Sequence, residues 1–140
     1  MLLIALAACT FIQPTDGTYL GEVEGFTADA ACEDVWGVDL AGLQAANATD
    51  VRIAEDGESM TLDGAVECTL FDTAFNCLQA DEDRVPGAHI ETRVTIVGEW
   101  VASFAFNSDW ELLASCDGED CGALAESCAI NWTFDPTLVQ

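Results

Sequence analysis

"DVRIAEDGESMTLDGAVECTLF", residues 50–71, decides how the rest of the chain is read. Val51 and Ile53 flank Arg52, Met60 and Leu62 flank Thr61, and Val66, Cys68 and Leu70 are separated by Glu67 and Thr69. An apolar residue at every second position puts one face of a strand on a core and the other in water. A helix would repeat every three or four residues instead. Asp56-Gly57 supplies the turn, because glycine accepts the left-handed backbone a tight hairpin needs. The resulting register sets Val51 and Ile53 opposite Met60 and Leu62.

The same period runs outward in both directions. "HIETRVTIVG" (89–98) puts Ile90, Val94 and Ile96 on one face and His89, Glu91 and Arg93 on the other. "EWVASFAF" (99–106) carries Trp100, Phe104 and Phe106 in phase, and Asn107-Ser108-Asp109 reads as a turn into "WELLASC" (110–116). "AINWTF" (129–134) alternates Ile130, Trp132 and Phe134. Upstream, "GTYLGEVEGF" (17–26) reads as one strand with Tyr19, Gly21, Val23 and Gly25 on a common face, its glycines predicting a sharp bend or a close backbone approach. Residues 28–47 are Ala-rich and hold one or two helical turns interrupted by Gly37 and Gly42. The acidic stretch ending in Pro86-Gly87 reads as a loop, and 116–128 as a cysteine-rich loop with a helical turn in "GALAES".

Seven or eight short strands, tight turns and no alternation with helices specify an all-β antiparallel meander. Such a sheet hides its edges by closing into a β-barrel or by stacking as a sandwich. The short connections favour the barrel. At 140 residues the chain makes one domain, taken as 17–140, with enough length for a core.

Apolar residues are 51% of the chain, so it is not a disordered acidic tail. Against 26 Asp and Glu stand three Arg (Arg52, Arg84, Arg93) and no Lys, giving a net charge of −23. That field repels phosphate backbones and excludes nucleic acid as a partner. Scattered acids of this kind make a soluble surface that resists self-association.

Seven cysteines divide into Cys9 and an even set, Cys32, Cys68, Cys77, Cys116, Cys121 and Cys128. An even set in an exported domain forms three disulfides. Zinc fits poorly, since the spacings in the C-terminal trio are wide and His89 is the only histidine. Proximity pairs Cys68 with Cys77. One of the trio 116/121/128 then reaches Cys32 while the other two pair locally.

Residues 1–8 form an apolar run too short to span a bilayer, of the kind that ends an export signal. Leu6-Ala7-Ala8-Cys9 resembles the lipobox of bacterial lipoproteins. The resemblance covers residues 1–9. It implies a signal peptide over 1–8, cleavage before Cys9, a diacylglycerol on the Cys9 thiol and an acyl group such as palmitate on its new amine. Residues 9–16 would be the lipidated tether. Two or three acyl chains hold a protein durably where one does not. Thr10 after the cysteine resembles the type delivered to the outer membrane, so the expected place is the bacterial cell envelope, on either face of that membrane. No Lys or Arg precedes Cys9, which leads us to expect an in-frame start upstream. Gly17-Thr18-Tyr19 also resembles, faintly, the Gly-x-Trp strand of lipocalin-type barrels, with Tyr in place of Trp.

Chemistry-bearing patterns are sparse. His89 is the lone histidine available as a general base, and its neighbours Glu91 and Arg93 make a cross-strand ion pair the simpler expectation. Asp117, Glu119 and Asp120 in "CDGEDCG" are a weak calcium candidate without the spacing of an EF-hand. No phosphate loop, nucleophile elbow or metalloprotease helix is present. We therefore expect no cofactor and a non-enzymatic envelope lipoprotein, held to the membrane by its lipid and acting in surface interaction or structure. The alternative is a lipocalin-like binder of a small apolar ligand on Trp100, Phe104, Phe106, Trp110, Trp132 and Phe134. A secreted hydrolase using paired carboxylates ranks below both.

Overall fold

A computed structural model describes residues 12–139. The founding hairpin forms as its pattern requires. In β3 (Ala48–Ile53) and β4 (Ser59–Leu62), Val51 faces Leu62 and Ile53 faces Met60, and β5 (Val66–Phe71) then sets Cys68 against Met60. Val51, Met60, Leu62, Val66 and Cys68 are buried, so the apolar face of the alternation is the core face.

Three long strands follow: β6 (Ala74–Val85), β7 (Ala88–Ala102) and β8 (Ala105–Asp117), joined by tight turns. Three sequence expectations are corrected here. The acidic stretch is not a loop but the second half of β6, paired with β7 through to Val85 opposite Ala88. Its alternation is invisible because residues 80–85 are exposed on both faces. Nor is Asn107–Asp109 a turn. Ser108 takes the inward position between Phe106 and Trp110, where its hydroxyl donates to the Phe134 carbonyl and accepts the Trp110 indole N–H at 2.9 Å. A buried serine broke the apolar pattern without breaking the strand. Phe104 also departs from its expected core place and is 56% exposed, because it stands in the Ser103-Phe104 turn between β7 and β8, just past a bulge between Trp100 and Ala102.

The segment read as one strand at 17–26 is two. β1 (Gly17–Leu20) pairs with β3 and with β10 (Thr137–Leu138), whereas β2 (Val23–Ala28) crosses to pair with β9 (Cys128–Phe134). Gly21 sits at the crossing, where a Cβ would lie 2.9 Å from the Pro136 Cα. Only glycine lets the two backbones pass so closely.

Among the described residues ten strands form one antiparallel sheet in the order β10-β1-β3-β4-β5-β6-β7-β8-β9-β2. Because β10 pairs with β1 and also with Ala105 of β8, the sheet closes on itself at one end. It is not a clean barrel. β6, β7 and β8 run for 12, 15 and 13 residues while β1 and β3–β5 run for 4 to 6, so the far halves of the long strands have nothing to close against. There the sheet opens through β9 to β2.

Two short helices cover the open face, α1 (Ala30–Asp34) and α2 (Leu40–Ala45), the second capped by Asp39 accepting the Gly42 N–H at 3.0 Å. The interior accordingly divides. The closed end holds Tyr19, Val51, Met60, Leu62, Val66, Cys68, Phe75, Cys77, Ile96, Trp100 and Phe106. The open half holds Cys32, Ala114, Cys128, Ile130, Trp132 and Phe134, with Phe26, Trp36, Val38 and Leu43 laid over them. Three disulfides form in the expected arrangement, Cys68–Cys77, Cys32–Cys128 and Cys116–Cys121.

Candidate functional site

The closed end is filled by rings. Trp100 and Phe106 meet edge-on with centroids 5.0 Å apart, Tyr19 lies 5.5 Å from Trp100, and Phe75 lies 5.5 Å from Phe106. All four are at most 1% exposed. Edge-to-face aromatics at these distances fill a core with favourable quadrupole contacts. The Tyr19 hydroxyl donates to the Thr15 carbonyl at 2.6 Å, and burial pushes its pKa from 10.0 up to about 12. Ile12 packs on the same core, and Asp16 accepts the Ile53 N–H at 2.6 Å, so residues 12–16 dock on the closed end. The lipobox and Cys9 lie outside the described residues.

The open half is less complete. Trp36, fixed by its indole N–H donating to the Glu126 carbonyl at 2.7 Å, and Val38 face Val94, Leu112 and Ala114 across a mainly apolar cleft of about 230 Å³. Its rim carries Gln79, Asp81, Thr92 and Arg93, the last turned to its ion pair with Glu91. Of the aromatics expected to line a pocket, Trp110 and Trp132 are spent on each other, stacked at 5.5 Å. The cleft instead uses Trp36, which the sequence placed in a helical stretch. The one hint was an aromatic and a valine standing beside Gly37 in an otherwise alanine-rich run.

β6 borders this cleft with an open edge. Its residues 74–78 pair with β5, but among the described residues 79–85 have no strand on that side. The stretch is Gln-Ala-Asp-Glu-Asp-Arg-Val, exposed from Ala80 onward.

His89 lies on the outer face of the β6–β7 hairpin, its Nε2 3.7 Å from Glu82 and shielded from solvent without a hydrogen-bond partner. Glu82 and Glu91 face each other across the strands. The donor atoms of Glu82, His89 and Glu91 lie within 4.8 Å of one another, the one such group among the described residues. Arginines meet both carboxylates, Arg93 at 2.7 Å from Glu91 and Arg84 at 3.7 Å from Glu82. The arrangement is an ion-pair lattice that offsets like charges in direct opposition. It holds two of the three arginines and the only histidine, and Glu91 and Arg93 also line a small surface pocket of about 150 Å³ with Leu113 and Ser115.

Asp117, Glu119 and Asp120 are all exposed and do not form a converging donor set of that kind. Their loop is held by Cys116–Cys121 and by the Asp120 N–H donating to the Gly87 carbonyl at 2.9 Å, which docks it on the β6–β7 turn. Comparison with protein-family models, with curated proteins and with solved structures finds no match, so what the molecule does must follow from its own geometry.

Proposed function

We propose that the chain is a lipid-anchored protein of the bacterial cell envelope whose β domain is a non-enzymatic interaction module. The observation that carries the reading is the division of the interior: a filled end docked to the entering chain, and an open half with a cleft and a free strand edge. Tyr19, Phe75, Trp100 and Phe106 fill the interior of the closed end, which argues against a lipocalin-like cavity inside it; the cleft of about 640 Å³ at that end lies outside the ring cluster, between Ile12, Pro14, Ile53, Leu70 and Thr73. Three disulfides are compatible with export.

The polarity of the domain suits an anchor on Cys9. Three residues of chain reach at most about 10 Å, so a lipid there stays near Ile12 and the closed end. From that end β6 extends about 35 Å to its far turn, carrying the cleft and the free edge away from the bilayer. Asp16 and the Tyr19 hydroxyl tie residues 15 and 16 to the closed end, which supports this orientation.

Intact mass spectrometry of the protein from its native membrane tests this. The expected mass begins at Cys9, includes the acyl groups and gains six hydrogens on reduction. An unprocessed chain with seven free thiols in the cytosol overturns it.

A further inference from the structure

We infer that the free edge of β6 over residues 79–85 is a strand-addition site for an extended cationic segment of another protein, one that alternates Lys or Arg with apolar residues. The inference rests on the interaction reading above and names the partner's chemistry.

The direction of the backbone groups carries the first step. The Leu70 N–H donates to the Glu58 carbonyl at 2.9 Å, so even residues of β5 address β4 and odd ones address β6. Thr69 opposite Asn76 and Glu67 opposite Leu78 are therefore hydrogen-bonded pairs, and even residues of β6 point toward β5. The Trp100 N–H donating to the Thr73 carbonyl at 2.7 Å shows the odd positions addressing β7. Past Leu78 the partner ends and the alternation continues, leaving Ala80, Glu82 and Arg84 with N–H and C=O aimed outward.

The second step is a contrast: the edges of β2 and β6, both unpaired among the described residues, differ in kind. β2 is spoiled for pairing by a register shift between Glu24 and Thr27 and by Gly25 at φ +59°. β6 pairs with β7 without any shift over its whole length and is guarded by charge alone. That charge is Asp81, Glu82 and Asp83 against one arginine, on a molecule of net charge −23. It repels the same edge of a second copy and draws in a cationic strand.

The third step is the cleft. Gln79 and Asp81 line it, so one face of an added strand lies on the side of the sheet that Trp36 and Val38 cover, and the other on the side of Glu82. Main-chain bonds supply affinity and alternate side chains supply selection, the usual division in strand addition.

A polyanion binds polycations indiscriminately, so the test must separate edge pairing from charge. The probe is a synthetic peptide alternating Lys and Val over about nine residues, titrated by calorimetry against the oxidised domain. Its partner is the same peptide with alternate backbone amides N-methylated, which keeps every charge and removes ladder donors. Ala80→Pro in the protein removes one outward N–H and no charge. The expected result is saturable one-to-one binding, weakened about tenfold or more by either change, the value of one or two ladder hydrogen bonds. Equal binding of both peptides, or indifference to Ala80→Pro, overturns the inference in favour of charge alone. Self-association of the protein that Ala80→Pro abolishes overturns it in favour of a second copy. Either failure leaves the acylation mass unchanged, so the anchoring proposal stands or falls separately.

Discussion

At the closed end Tyr19, Phe75, Trp100 and Phe106 have left water entirely, while in the open half Trp36, Trp110 and Leu112 keep part of their surface exposed. Both ends are built from the same alternating strands. The closed end is held by area removed from water, which a ring of strands can bury on every side. The open half has one layer of sheet under two short helices, and two of the three disulfides lie there. Burial holds the scaffold, and sulfur holds the part left open.

The largest effect that sharpens this contrast is loss of the long bridge. Cys32–Cys128 closes a loop with a sequence separation of 96, for which loop-closure entropy gives about 4–5 kcal/mol. Replacing both cysteines by serine should lower the opening free energy of α1, α2, β2 and β9 by up to that amount, since only part of the loop is freed while the closed end stands, as read by denaturant titration with local probes. Unfolding of both halves together would break the comparison.

Trp100→Ala attacks the other side. Removing a fully buried indole from the ring cluster costs about 3–5 kcal/mol, and here the loss should be global, because the open half hangs from β7 and β8. A purely local effect in equilibrium unfolding contradicts the assignment of the scaffold.

Cys116–Cys121 spans a separation of only 5, so its replacement by serines should cost about 2 kcal/mol. The loss should be confined to the loop docked on Gly87, seen as faster amide exchange at Asp120.

The effect smallest at neutral pH is an alkaline response that originates at the closed end. Burial raises the Tyr19 pKa from 10.0 to about 12, so the unfolded chain releases this proton first as pH climbs. The contribution of Tyr19 is complete below pH 10 and is lost between about 10 and 12, and Tyr19→Phe should remove that part of the alkaline decline in thermal stability. An unchanged decline in the Phe variant would place its cause elsewhere.

Much of the closed end was legible because its residues obey one rule: Val51, Ile53, Met60 and Leu62 alternate around Asp56-Gly57, and the pairing followed. Cysteine proximity found Cys68–Cys77 for the same reason, since residues across a short hairpin are neighbours in space. Legibility failed where a strand does not separate core from water. The far half of β6 is exposed on both faces, so it carried no period, and Ser108 is polar yet buried. The candidate site sits where the pattern is silent: the free edge is a property of β5 ending early, which no residue of β6 encodes. Gly21 announced a bend, but that β2 crosses to β9 depends on Pro136, over a hundred residues away.

Amide-resolved hydrogen exchange, on the oxidised protein and on the Cys32→Ser/Cys128→Ser variant, tests the two-part account most directly. The account predicts that in the variant α1, α2, β2 and β9 exchange fast, while β1, β3–β5 and the closed-end segments of β6–β8 keep the protection of the parent. Protection lost in equal measure across all ten strands would contradict it.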